Sequence, residues 1–372
     1  MGWIEKRPRA KGVAWKAATR GPDGQVRSKT FERQADARRW LSTQEASIAQ
    51  GAWIDPTAGR VTFGAYAEVW LAAQAHHRPS TRAKVESHLR CHIIPAFGDR
   101  PIGSIRPSEV KSWVASLAGV LAPATVEIVY RYLAAVFRAA VSDRVLAVTP
   151  CVGVKLPKID RPKVHPLTTE EVQALADTVP PRYRAMVILA AGTGLRQGEA
   201  FGLTLAHIDF LRRTLRVEQQ LILLGAEPIV GPPKTAASRR TVPLPDVVLD
   251  ALARHVAEYP PGPDGFLFTD DRARPLRRNR FNEVWHRATA AAAVPEGTGF
   301  HDLRHYYASL LIRYGESVKV VQDRLGHASA METLDTYGHL WPDSDDRTRT
   351  AVDSVLGRGS TSTSDHVATE SC

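Results

Sequence analysis

Cysteine is scarce. Cys91, Cys151 and Cys372 are far apart and odd in number, which argues against a disulfide framework and against a cysteine zinc site. The two inner ones are expected to fill small apolar gaps, and a reducing cytosol fits. No apolar run reaches the roughly 20 residues that cross a bilayer. The amino-terminal MGWIEKRPRAKG is basic with no apolar stretch behind it, unlike a secretory signal. Its sixth residue is Lys6, where a myristoylation signal needs Ser or Thr. No internal repeat is visible. A P-loop is also missing: GPPKT at 231–235 lacks the glycine before its lysine and the one five residues earlier. No dense cluster of Asp and Glu offers to hold a catalytic metal ion.

What is present is positive charge. The chain has 372 residues, 44% apolar and 24% charged, enough for two or three domains with real cores. Its net charge is +10 and its pI about 9.7. Such a balance points to a polyanionic partner, nucleic acid first and an anionic membrane surface second.

Residues 1–55 carry eleven Lys and Arg against six Asp and Glu. Alternating runs, GVAWKAAT and QVRSKTF, flank the turn signal GPDG and predict a β-hairpin. The run QADARRWLSTQEASIAQG, closed by Gly51, predicts a helix. A small basic DNA-binding module is expected here, or else a basic cap packed on its neighbour. From Phe63 to about Val148 the pattern is helical: FGAYAEVWLAAQ, then STRAKVESHLRCHIIPAFG from an N-cap Ser80, then SEVKSWVASLAG opened by Pro107, then residues 122–147. A helical bundle over 62–150 is expected. Residues 151–166 form a basic linker with three prolines, stiff and extended enough to follow a polyanion. Residues 167–345 mix helices with short strands, starting at a capping box of Thr168 and Glu171. Lys234 falls in the predicted turn between two strand-like runs, RRTLRVEQQLILL and SRRTVPLP. The segment 346–372 ends in a Ser/Thr-rich tail expected to be disordered. The fold class expected is mainly α with small β-sheets (α+β): an N-terminal ββ(β)α domain, a helical domain, and a mixed, mostly helical third domain.

Four short stretches could carry chemistry. In GTGLRQGEAFGL, Arg196 follows a helix end and can be clamped by Glu199. In HDLRHYYASLL, His301, Arg304 and His305 share one helix face, and a planar guanidinium suits phosphate oxygens. The two histidines at i, i+4 resemble half a zinc site, but Asp302 stands where the general-base Glu belongs and Arg304 would oppose a dication. In LGHASAMETLDTYGHL, His327 follows a Leu-Gly turn and Tyr337 lies ten residues on; alone this has the rhythm of a helix-turn-helix. In GPPKTAASRRTVPL, Lys234 alone would be a solvated turn lysine.

Taken in order, Arg196, Lys234, His301-x-x-Arg304, Gly-His327 and Tyr337 resemble the signature of tyrosine recombinases of the phage-integrase type. The resemblance covers about 165–345 in its motifs and the whole chain in its domain order. It implies an arm-binding-like N-terminal domain, a core-binding domain and a catalytic domain. Arg196 and Arg304 would clamp the phosphate, Lys234 would act as general acid, His301 would assist proton transfer and His327 would contact the phosphate. Tyr337 would be the nucleophile, with Glu199 and His305 orienting the site; His339 follows the pattern without an assigned role. No cofactor is implied. The implied partners are double-stranded DNA at attachment sites and a homotetramer on that DNA, with a host DNA-bending protein and an excisionase-type factor as further candidates and no membrane. The implied location is cytoplasmic, on the nucleoid of a bacterial host. A non-catalytic DNA-binding regulator, a type IB topoisomerase and a zinc hydrolase remain alternatives.

Overall fold

A computed structural model describes residues 2–8, 12–55, 57–160, 162–224, 227–341 and 345–356. The Ser/Thr-rich tail and Cys372 lie outside them. Contacts divide the chain into two compact units, Met1–Asp160 and Arg161–Cys372.

The first unit opens with β1 (Trp3–Pro8), β2 (Val13–Arg20) and β3 (Val26–Phe31), an antiparallel sheet with β2 in the centre. The expected hairpin is β2–β3, and Trp3–Pro8 supplies the third strand. Ala14, Ala17 and Ala18 on β2 are buried, as is Ala37 of α1 (Gln34–Ala49), and α1 packs against β2. Next come α2 (Phe63–Ala73), α3 (Pro79–His88), α4 (Ile94–Phe97), α5 (Pro107–Ala118) and α6 (Pro123–Ser142). Their core holds Phe63, Ile93, Val110, Leu133 and Phe137.

Four local readings need correction. α3 starts at Pro79, not from an N-cap Ser80, because proline's fixed φ suits the first helical position. The single predicted helix through 98 is interrupted by one π turn, Leu89–Ile93. Pro95 has no N–H for the Cys91 carbonyl, and a wider turn absorbs that loss. α6 stops at Ser142: Arg144 takes φ +56°, and the Val145 and Leu146 amides both return to the Ala140 carbonyl. Cys91 is exposed and so fills no gap; Cys151, Val154 and Leu156 pack against the helical core.

The second unit runs α7 (Thr169–Thr178), α8 (Pro181–Thr193), α9 (Gln197–Phe201), β4 (Ile208–Asp209), β5 (Thr214–Val217), β6 (Gln220–Leu224), β7 (Glu227–Gly231), β8 (Arg240–Pro243), α10 (Asp246–Glu258), α11 (Arg278–Ala291), α12 (Asp302–Arg313), α13 (Val318–Leu325), α14 (Ala330–Tyr337) and α15 (Asp345–Leu356). The capping box is present: Thr168 Oγ1 accepts from the Glu171 amide and Glu171 accepts from the Thr168 amide. β4, β5 and β8 form one antiparallel sheet, and β6–β7 is a separate hairpin. The run read as one strand, 212–224, is thus two. Lys234 accordingly sits not in a hairpin turn but in the connection from β7 to β8. One core gathers Leu175, Met186, Leu189, Leu252, Phe268 and Leu303. A smaller one holds Tyr307, Ile312, Val321, Leu325 and Tyr337, with Val164 and Trp341 against it.

Candidate active site

Two helices end in glycine at the same place. α8 closes on Gly194 and α13 on Gly326, both with φ +65°. A Cβ at Gly194 would come within 2.6 Å of the Tyr307 ring, and one at Gly326 within 2.9 Å of the Ala237 carbonyl. Neither position takes a side chain without strain. Each turn leaves helix-end carbonyls without helical partners, at the negative end of the dipole.

Arginines fill that negative corner. Arg304, only 1% exposed, donates from Nη1 to the Gly194 carbonyl (2.7 Å) and from Nη2 to the Leu325 carbonyl (2.6 Å). Arg240 donates from Nε to the Arg324 carbonyl (2.7 Å). Arg196 reaches the Gly326 carbonyl from Nη2 (3.4 Å). Three consecutive carbonyls at the end of α13 therefore each hold a different guanidinium. Burying a cation is costly unless it is compensated, and here helix-end carbonyls supply the compensation for Arg304. Desolvation and the nearby Arg196 and Arg240 still push its pKa down to about 9, which leaves it charged at neutral pH.

Glu199 is the carboxylate of the corner. It takes Arg196 Nη1 (3.0 Å) on Oε1 and Arg240 Nη2 (3.0 Å) on Oε2, and accepts the Arg196 backbone amide as well. Burial pushes its pKa up, but Arg240 and Arg196 outweigh this and hold it below the usual value. One carboxylate between two arginines, beside Arg304, leaves the cluster net positive. Arg196 also donates to Ser238 Oγ (3.3 Å).

Tyr337 closes α14 with its ring buried. Its hydroxyl lies 2.8 Å from His305 Nδ1. His301 caps the start of α12, exposed, with its ring 4.8 Å from that of His305 and perpendicular to it. The Tyr337 hydroxyl thus meets His305 and not His301. Burial raises the Tyr337 pKa to about 12, against the pull of Arg304 and Arg196. Desolvation and surrounding cations lower His301 to about 4 and His327 to about 3, and desolvation also lowers His305. His327 lies nearly parallel to the Tyr337 ring, centroids 6.4 Å apart, and its Nδ1 is 2.8 Å from Thr333 Oγ1.

The structure therefore brings Arg196, Glu199, Arg304, His305, His327 and Tyr337 into one network, with His301 beside it. Lys234 stands apart: it is exposed and has no hydrogen bond or ion pair among the described residues. His339 bonds the Val164 carbonyl (2.8 Å), a tether for the chain after α14. Among the described residues no group of three or more His, Cys, Asp or Glu is placed to share a metal ion, and no helix is long and apolar enough to cross a membrane.

Sequence reading missed Arg240 and Thr333. Both had a signal. On β8, Arg240 shares the inward parity of buried Val242, while Thr241 is exposed. On α14, Thr333 lies four residues before Tyr337, on the same helix face.

Residues 165–343 match the phage integrase family and residues 62–118 match the phage integrase N-terminal SAM-like domain. A prophage phiRv2 integrase of Mycobacterium tuberculosis is 31% identical over 332 residues, covering 86% of this chain and 87% of that protein. Among solved structures, the Tn1549 transposon integrase in complex with a circular intermediate DNA aligns with TM-score 0.67 at 23% identity, over 79% of this chain and 99% of that one. A lambda integrase tetramer bound to a Holliday junction aligns with TM-score 0.58 at 20% identity, over 88% of this chain and 96% of that one. The chain belongs to the phage integrase family and is a tyrosine-type site-specific recombinase.

Proposed function

We propose that the chain cuts and rejoins duplex DNA through a covalent bond between Tyr337 and a 3′ phosphate, and so moves a mobile element into and out of a chromosome. The observation that carries this reading is the Tyr337 hydroxyl, 2.8 Å from a histidine nitrogen and beside the cluster of Arg196, Arg240 and Arg304.

The chemistry follows from charge. A phosphodiester is anionic, and attack builds more charge on its oxygens, so preorganised positive donors lower the barrier. Arg196 and Arg304 supply guanidinium donors, and a neutral His327 supplies an N–H. The phenol pKa of about 12 means the proton must go to a base during attack. His305, kept neutral by its lowered pKa, is in contact to accept it; His301 stands next to His305 as a relay. The phenol oxygen bonds to phosphorus, the bond from phosphorus to the 5′ oxygen breaks, and that oxygen needs a proton. Lys234, on the β7–β8 connection, is the group we assign to supply it, once DNA draws that exposed loop onto the scissile phosphate. Reversal by a second 5′ hydroxyl reseals the DNA without a nucleotide cofactor.

Four protomers on two DNA segments fit this chemistry and the lambda integrase tetramer on its junction. α15 bears exposed Val352, Val355 and Leu356, and we assign it to docking on a neighbouring protomer; unchanged assembly on DNA after deletion of 345–372 would remove that role. Residues 1–55 would read arm-type sites, 62–150 the core site, and 167–345 would do the chemistry, with the protein at work on the bacterial nucleoid. A host DNA-bending protein and an excisionase-type factor are the accessory partners to test.

The decisive test is a nicked suicide duplex carrying a site taken from the DNA flanking the gene. The wild type should give a covalent protein–DNA band on a denaturing gel, and Tyr337→Phe should give none. A regulator would give no band with either protein. Relaxation of a plasmid without paired sites would assign the same chemistry to a topoisomerase.

A further inference from the structure

The geometry points to Thr333 as the positioning residue that fixes the tautomer of His327, so that its Nε2 carries the proton and faces the phosphate as a donor. This rests on the proposed reading of His327 as a phosphate contact.

A neutral imidazole has one N–H and one lone pair. Only the N–H side can bind a phosphate oxygen. His327 is neutral near pH 7, since desolvation and then Arg304, Arg196 and Arg240 hold its pKa far below the usual value. Which nitrogen carries the proton therefore decides whether His327 attracts the phosphate or repels it.

Thr333 settles this through its own proton. Threonine within a helix can donate to the carbonyl four residues back. Thr336 does so on the same helix, giving its hydroxyl to the Glu332 carbonyl at 2.8 Å. Thr193 does so on α8, with the Leu189 carbonyl. Thr333 does not. Its side chain is wholly buried, and among the described residues its single hydrogen-bond partner is His327 Nδ1 at 2.8 Å.

Two arrangements are conceivable. If Nδ1–H donated to Oγ1, the threonine proton would be buried with no acceptor, a costly state. The Nε2 lone pair would then face the phosphate. If the hydroxyl donates into Nδ1, the buried threonine proton is satisfied and Nε2 keeps its N–H. Among the described residues that N–H is not otherwise engaged: the nearest carboxylate oxygen, Glu332 Oε1, is 3.9 Å away. The imidazole is also fixed at its backbone, with its amide on the Gln322 carbonyl (3.1 Å) and its carbonyl taken by Gln322 Nε2 (3.3 Å). Thr333 thus sets the proton while α13 sets the position.

The test has two readouts. Histidine-selective ¹⁵N labelling of the full chain, with His327→Gln to assign the signal, reports the tautomer directly at neutral pH. Single-turnover adduct formation on the suicide duplex reports the chemistry. Wild type should show the Nε2–H form. Thr333→Val, which keeps the shape, should show a mixture or the Nδ1–H form. Its cleavage rate should fall with DNA affinity little changed, by at most the roughly 10²–10³-fold that one preorganised donor is worth. Thr333→Ser, which keeps the hydroxyl, should restore both readouts. An Nδ1–H form in the wild type, wild-type cleavage by Thr333→Val, or equal loss in Thr333→Ser and Thr333→Val would each overturn the inference. The NMR readout needs no cleavage, so it stands even if the wild type forms no adduct, a result that would count against the recombinase mechanism instead.

Discussion

At the scale of single residues, the site is a contest between burial and positive charge. Tyr337 shows burial winning: its pKa rises to about 12 although Arg304 and Arg196 pull it down. The protein without DNA therefore keeps the Tyr337 phenol protonated, and on the proposed mechanism reaction depends on His305 as acceptor. That dependence has a sign. Desolvation first, and then Arg304, lower the pKa of His305 below its ordinary value, about 6.5, so the neutral, accepting form prevails above that pH and is lost as pH falls. At subsaturating DNA the second-order rate of adduct formation, which reports groups of the free protein, should be flat from pH 8 down to about 6.5 and decline below. His305→Gln should react slowly at every pH and lose the acid limb. A limb that persists unchanged in His305→Gln would move the base to His301. The same depressed histidines bear on stability. As pH falls below about 6.5 the unfolded chain takes up protons that the folded site refuses, so stability is full above that value and declines in acid.

At the scale of elements, the last turn of α13 organises the site, and it does so with backbone. The Arg324, Leu325 and Gly326 carbonyls hold Arg240, Arg304 and Arg196. This explains why Gly326 precedes His327: the left-handed turn aims those carbonyls inward, with the Ala237 carbonyl and Ser238 Cα already 2.9 and 3.1 Å from any added Cβ. Gly326→Ala should cost about 2–4 kcal/mol by urea denaturation, from the left-handed backbone and the forced contact together. It should also slow adduct formation more than it weakens DNA binding. A loss below about 1 kcal/mol would mean that the turn relaxes and does not fix the guanidiniums. Much of this level was legible beforehand. The Thr168 capping box, the start at Pro107 and the glycine before His327 are local signals, and local chemistry decides them. What was not legible is tertiary. Nothing in the unbroken run 212–224 marks the end of β5, where Gln219 turns to donate to the Gly202 carbonyl (2.7 Å). Hence the β6–β7 hairpin was missed and Lys234 was misplaced. Carbonyl ligands leave no trace in side-chain identity, so the α13 corner could not be read, although the arginines it holds could. Arg240 was readable from strand parity, given the buried acid Glu199 to receive it.

At the scale of the molecule, the division of labour follows the contact map. Every residue of the network, with Lys234, Arg240 and Thr333, lies in the unit that begins at Arg161. So do the two cores that support them, and so does Val164, which packs on the smaller core and tethers His339. A fragment of residues 161–372 should therefore fold by itself and retain the chemistry. It should lack the basic residues 1–55 and the helical core of the first unit, and with them part of its grip on DNA. Each phosphate neutralised adds about −0.9 to the slope of log K against log salt on duplex DNA. The full chain should thus show a steeper slope than the fragment, and the fragment should form the Tyr337 adduct only at higher DNA concentration or lower salt. Measuring both slopes by titration on the same duplex separates two cases that affinity alone confuses. A fragment that binds more weakly with the same slope has lost base or shape contacts. One that binds more weakly with a shallower slope has lost phosphate contacts, the outcome the charge of the first unit requires. Equal affinity and equal slope would leave the first unit without a role on that duplex.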